Sequence, residues 1–146
     1  MAIERVSLAV DGGRFAAKAV AGERVRVSAH IFADGHDHLA ARLLHRPANG
    51  EWTAEPMRDL GNDLWAGEFE ADEPGRYEVT IEGWIDTYGT WLAGLRKRHA
   101  AGVDLAVELQ VGAKLLAAAA ETATGAEKHL LREASGSLPG LNGDEA

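Results

Sequence analysis

The stretch ERVRVSAHIF, residues 23–32, alternates without a break, with Val25, Val27, Ala29 and Ile31 on one side and Arg24, Arg26, Ser28 and His30 on the other. A period of two with one polar face predicts a half-buried antiparallel strand. RYEVTIEGW (76–84) repeats the pattern, with Tyr77, Val79 and Ile81 inward and Glu78, Thr80 and Glu82 outward. LWAGEFE (64–70) sets Trp65, Gly67 and Phe69 on one face. Residues 3–10 alternate weakly, 39–46 are apolar enough for a further strand, and 51–57 are confined to a sheet edge because Pro56 has no N–H to donate. Turn chemistry separates these runs at Asp11-Gly12-Gly13, Ala21-Gly22, Pro47-Ala48-Asn49-Gly50, Gly61-Asn62-Asp63 and Glu73-Pro74-Gly75.

After Trp84 the period becomes helical. Within 90–102, Trp91, Leu92, Leu95 and His99 share one face, and Arg96-Lys97-Arg98 lie where a helix C-terminus favours cations. Gly102 reads as a stop and Asp104 as a cap for the next segment, whose stripe is Leu105, Leu109, Gly112 and Leu116. Thr124-Gly125 breaks that segment, 126–134 predict a third short helix, and SGSLPGLNGDEA predicts a mobile tail. About six or seven short strands with regular turn signals imply a mainly β fold, an antiparallel sandwich followed by a C-terminal helical segment. Gly75-Arg76-Tyr77 ahead of an alternating strand resembles the late strand of immunoglobulin-like domains, where a tyrosine packs at the sheet corner. The expected organisation is an immunoglobulin-like sandwich over 1–86, helices over 87–134 and a flexible tail over 135–146. Short helices weakened by Gly94, Gly102 and Gly112 have little to pack on alone, so they are expected to lean on the sandwich or on a partner.

Composition narrows the function classes. The 146 residues and a hydrophobic fraction of 46% suit one core-bearing domain, or one domain plus an appendage. Fifteen basic against 23 acidic residues give a formal charge of −8, which argues against nucleic acid or an anionic membrane as the partner. The chain contains 0 cysteines, which removes disulfides, thiolate metal sites and thiol nucleophiles. The N-terminus MAIERVSLAV is not the pattern of a secretory signal peptide, and no segment has the run of about 20 apolar residues that a spanning helix needs. A cytoplasmic location is the expectation.

Candidate chemistry is sparse. The common phosphate-loop, dinucleotide and zincin motifs are absent, and no serine sits in a nucleophile elbow; Ser135 and Ser137 read as tail residues. Glu68, Glu70, Glu78 and Glu82 fall on outward strand positions and read as solvated charge. His36 and His38 flank Asp37 and, at i and i+2, face one way on an extended segment. A metal would still need a third ligand, which the sequence does not nominate, so 33–38 read as a polar hairpin between the strands 23–32 and 39–46. No metal, no cofactor and no catalytic residue are expected. Of four tryptophans, Trp65 points inward and Trp84 and Trp91 sit where sandwich and helices should meet, which leaves Trp52 as the exposed ring for stacking a sugar.

Taken in order, GRFAAKAVAGERVRVSAHIFADGHDHLAARLLHR, WTAEPMRDLGNDLWAGEFEADEPGRYEVTIEGWIDTYGTW and KRHAAGVDLAVELQVGAKLL resemble the N-terminal region of the bacterial α-1,4-glucan:maltose-1-phosphate maltosyltransferases, in the α-amylase clan. The pieces that carry the resemblance are Ala16-Ala17-Lys18-Ala19-Val20 before Gly22-Glu23, then Phe32, Gly35, His36 and Asp37. Gly83-Trp84 leading to Thr90-Trp91, and Ala101, Gly102 and Asp104, complete them, while Ala16 stands where the family is expected to have proline. The resemblance implies a sandwich carrying an inserted helical bundle, a homodimer, and a separate catalytic (β/α)8 barrel as partner, whose catalytic carboxylates have no counterpart here. It implies a non-catalytic accessory and dimerisation domain, with the loop His36, Asp37 and His38 facing the barrel or a second subunit. The alternative reading is a small glycan-binding module taking α-glucan at Trp52, or a stand-alone protein-interaction domain.

Overall fold

The alternation resolves into strand pairs in the computed structural model, which describes residues 1–9 and 21–141. The Asp11-Gly12-Gly13 turn, the motif at Ala16–Val20 and the end of the expected tail, 142–146, lie outside the described residues. The strands are β1 (Ala2–Ala9), β2 (Glu23–Phe32), β3 (Leu39–Pro47), β4 (Thr53–Pro56), β5 (Arg58–Asp59), β6 (Leu64–Ala71) and β7 (Tyr77–Ile85). They form two antiparallel sheets, ordered β1-β2-β6-β5 and β4-β3-β7. The expected mainly β sandwich followed by helices is the observed architecture. The chain divides after Ile85 into two units, Met1–Ile85 and Asp86–Ala146.

The core of the first unit lies between the inner faces of the sheets. Val25, Val27, Ala29 and Ile31 of β2 are all buried, as their alternation requires, and meet Ala41 and Leu43 of β3 and Trp65 and Phe69 of β6. Ile31, Leu43 and Val27 are the largest fully buried side chains, and each such burial is worth about 1.5–3 kcal/mol. On β7 the inward Tyr77, Val79 and Ile81 are only half-buried, because β7 borders its sheet among the described residues. The Tyr77 hydroxyl accepts a hydrogen bond from the Glu73 N–H at 3.2 Å, tying the sheet corner as the immunoglobulin-like reading of this tyrosine anticipates.

One connection differs from expectation. Residues 33–38 do not close a hairpin: β2 pairs with β1 and β6, whereas β3 pairs with β4 and β7, so the segment carries the chain from one sheet to the other. Alternation fixes which side chains are buried but not which strand is the neighbour, and a short polar link serves either purpose. The run 51–57 holds the expected edge strand, β4, and the chain then passes straight to β5 at the edge of the other sheet. Met57 alone makes the crossing; its side chain is buried and its N–H donates to the Ala41 carbonyl at 3.0 Å.

In the second unit, α1 (Thr87–Ala100) opens on Asp86, whose carboxylate accepts from the Gly89 N–H at 2.8 Å. It ends at Ala100, just before Gly102, whose φ of +67° is the left-handed conformation that glycine favours. The next helix, α2 (Ala106–Thr122), follows, with Asp104 Oδ1 accepting from the Ala106 N–H at 3.0 Å. Helix α3 (Gly125–Ser137) then runs past the expected boundary at 134 and passes into a 3-10 turn at Leu138–Gly140. The expected tail is therefore corrected up to residue 141. Leu138 and Leu141 pack against the buried cluster of Trp91, Leu95, Leu105 and Leu109, and the Ser135 hydroxyl donates to the Ala113 carbonyl at 2.8 Å. Helical phase continues through Ser135-Gly136-Ser137 because Leu138 and Leu141 anchor the chain just beyond, which overrides a weak local propensity. Helices α1 and α2 meet where the Trp91 indole lies over Gly112, and its Nε1–H donates to the Glu108 backbone carbonyl at 2.8 Å.

His45, inward on β3, is 8% exposed, stacks on Phe69 with ring centroids 4.2 Å apart, and has no hydrogen-bond partner in the protein for either ring nitrogen. Burial lowers its pKa below the ordinary 6.5, against the pull of the Glu55 and Asp72 carboxylates. The unfolded chain then binds the extra proton first as pH falls, so stability rises with pH and is lost progressively below 6.5. Urea melts between about pH 7 and about pH 5 should show that loss, and His45→Phe should flatten it while raising stability at neutral pH by about 1 kcal/mol. A wild-type midpoint that does not move with pH contradicts this. At Gly112 a Cβ would overlap the indole, so Gly112→Ala should destabilise the helical unit by about 1–3 kcal/mol although alanine is the better helix former. Thermal melts by circular dichroism measure it, and a raised midpoint would count against the Trp91 contact.

Candidate functional site

The outer face of the β4-β3-β7 sheet is built by the even-numbered residues of its strands. On β3 these are Ala40, Arg42, Leu44 and Arg46; opposite them on β7 stand Trp84, Glu82, Thr80 and Glu78. On β4, Pro56 is level with Arg42 and Ala54 with Leu44. Two Arg–Glu pairs therefore sit directly across from each other in register. Arg42 Nε donates to Glu82 Oε2 at 2.7 Å, and Arg46 donates to Glu78 Oε2 through Nε at 2.8 Å and Nη2 at 2.6 Å. A third pair, Arg26–Glu68 at 2.9 Å, occupies the outer face of the other sheet. Glu68, Glu78 and Glu82, expected as solvated charge, are thus ion-paired across strands.

Trp52 precedes β4 and is 43% exposed, as its sequence position suggested. The Arg46 guanidinium lies 4.5 Å from its ring centroid, a cation–π contact made by the same arginine that holds Glu78. Trp84, at the far end of the face beside Ala40, is 44% exposed. Sequence reasoning set Trp84 aside as a junction residue, yet its parity with Glu78, Thr80 and Glu82 already assigned it to the outer face. A shallow groove of ≈ 490 Å³ opens beside it, lined by Leu39, Ala40, Arg42, Pro56, Met57 and Trp65. The face thus combines two half-exposed indoles with two mutually neutralised ion pairs. It offers apolar contact and hydrogen-bonding groups side by side.

The other candidates stay apart from this face in chemistry. His36, Asp37 and His38 are all exposed on the inter-sheet connection. No group of three histidine, aspartate or glutamate side chains able to hold a metal converges among the described residues. The Arg96-Lys97-Arg98 run ends α1, where Arg98 pairs with Glu108 of α2 at 3.1 Å. Among the described residues, no helix is long and apolar enough to cross a membrane.

Against known proteins, the family α-1,4-glucan:maltose-1-phosphate maltosyltransferase, domain N/S, matches residues 1–145. Among curated relatives, each named α-1,4-glucan:maltose-1-phosphate maltosyltransferase, the Chlorobaculum tepidum protein is 44% identical over 115 residues, covering 78% of this chain and 17% of the relative. The Myxococcus xanthus protein is 44% identical over 131 residues (86% and 20%), and a Cereibacter sphaeroides protein 46% identical over 132 residues (90% and 22%). The chain spans about a fifth of the length of these relatives. With a family match over almost its whole length and a fold that carries the quoted motifs at Gly35-His36-Asp37 and Gly83-Trp84, this chain belongs to the α-1,4-glucan:maltose-1-phosphate maltosyltransferase family and represents its domain N/S.

Proposed function

We propose that this chain is a non-catalytic accessory and dimerisation domain of a cytoplasmic maltosyltransferase that extends α-1,4-glucan from maltose 1-phosphate. In this reading the sandwich buttresses a catalytic (β/α)8 barrel, and the helical unit pairs with its counterpart in a second copy. The reading draws on the family match and on the span of about a fifth of each relative. The observation that carries it is an apolar stripe on the helical unit. Val107 and Val111 of α2, one turn apart, are 70% and 42% exposed, on the opposite side from the buried Leu109 and Gly112. Leu130 of α3 is 63% exposed. A helix that is apolar on two sides has one side in its own core and the other available for a partner. The loop His36-Asp37-His38, exposed on the connection between the sheets, is assigned in this reading to a contact with the barrel or the second subunit.

Light scattering should show the chain self-associating at about 100 μM, and Val107→Glu with Val111→Glu should return it to a monomer of unchanged helicity. A wild-type chain that stays monomeric removes the dimerisation half of the reading. Incubated with maltose 1-phosphate and glycogen, the chain should release no phosphate; measurable turnover would overturn its non-catalytic assignment.

A further inference from the structure

We propose that the outer face of the β4-β3-β7 sheet is a binding surface for a linear, uncharged oligosaccharide, stacked on Trp52 at one end and Trp84 at the other. The proposal goes beyond the assembly role and does not depend on it.

The two indoles are among the exposed large apolar side chains; Trp84 stands on this sheet face opposite Ala40, and Trp52, just ahead of β4, lies against Arg46 of the same face. One side of Trp52 is held by Arg46, which is itself fixed by Glu78, so the ring is oriented before any ligand arrives. An indole with a pre-set plane suits the axial C–H face of a pyranose, which presents a flat apolar surface rimmed by hydroxyls. The rest of the face supplies what hydroxyls need. The guanidinium groups of Arg42 and Arg46 and the carboxylates of Glu82 and Glu78 offer donors and acceptors side by side, half-exposed and already in place. Their charges cancel, on a chain whose formal charge is −8. An anionic ligand would have to break an Arg–Glu pair and face the overall negative field, and a cationic one would find each carboxylate already engaged. A neutral polyhydroxylated chain can accept from the arginines and donate to the glutamates without breaking either pair.

Spacing sets the length of the ligand. Arg46 lies beside Trp52 and Ala40 beside Trp84, six residues apart on β3. At about 3.3 Å per residue the rings are about 20 Å apart, so about five hexose units are needed to touch both. A trisaccharide reaches only one.

Calorimetry tests this on the 146-residue chain, with maltoheptaose and cellohexaose each compared with its own trisaccharide. At least one long ligand should bind with a Kd of about 1 mM or tighter, and its trisaccharide at least about tenfold more weakly. Trp52→Ala and Trp84→Ala should each weaken the long ligand about tenfold with unchanged circular dichroism, as befits exposed residues. Quenching of wild-type tryptophan fluorescence by acrylamide, reduced on adding the long ligand, gives a readout that needs no variant. The proposal is overturned by the absence of heat with both long ligands at about 10 mM, or by equal affinity for long and short ligands. It is equally overturned if a chain carrying both Trp52→Ala and Trp84→Ala binds as the wild type does. Concentration-dependent protection of the indoles without sugar would assign the face to a second copy instead.

Discussion

Two narrow sheets can exclude water only from the space between them, and that single interior governs the sandwich. Every strand that borders it must send alternate residues inward, and β2, β3, β6 and β7 all do so with their odd-numbered positions, from Val25 to Ile81. A slip of one residue in any of them would bring arginines or glutamates into the core. The cross-strand pairs Arg26–Glu68, Arg42–Glu82 and Arg46–Glu78 stand at registers that the core also demands. All are about half-exposed, so each adds at most about 1 kcal/mol; they discriminate among pairings more than they hold the fold together. Because the interior takes the odd positions, the even positions are free for other chemistry, and on the β4-β3-β7 face they carry two indoles and two ion pairs.

His45 obeys the same parity at some expense. Burial at this inward position disfavours the charged imidazole and leaves its ring nitrogens with no hydrogen-bond partner in the protein, and its stacking on Phe69 compensates only in part. The helical unit solves a different problem with fewer residues. Its core is the Trp91 indole laid over Gly112 with leucines around it, closed from the C-terminal side by Leu138 and Leu141. So small a core leaves Val107 and Val111 outside it.

Much of this was legible in the amino-acid order, for physical reasons that differ by feature. Strands β2, β6 and β7 were visible because one buried and one solvated face print alternation directly onto the sequence. The switch to helices after Trp84 was visible as a change of period. What the period cannot encode is which strands are neighbours: the segment 33–38 reads equally well as a hairpin or a sheet-to-sheet link, and only the full set of pairings distinguishes them. The end of α3 was missed because glycine and serines weaken the local signal, while the leucines beyond them act through tertiary contacts. Trp52 was legible as an exposed ring from its turn context. Trp84 was hidden by its closeness in sequence to the helices, even though its parity on β7 was in plain view. The arginine partners of the outward glutamates depend on register, which no single strand reveals.

The crossing at Met57 has a bearing on how this part of the chain can vary in length. One residue separates β4, registered on β3, from β5, registered on β6, and that residue is anchored at both backbone and side chain. The two sheets are therefore indexed to each other here like gears sharing a tooth. An insertion or deletion between Pro56 and Arg58 would shift one strand's facing relative to the other's, whereas the polar links elsewhere in the sandwich can absorb a change in length. Natural variation in chain length should collect at those links and leave this crossing at a single residue.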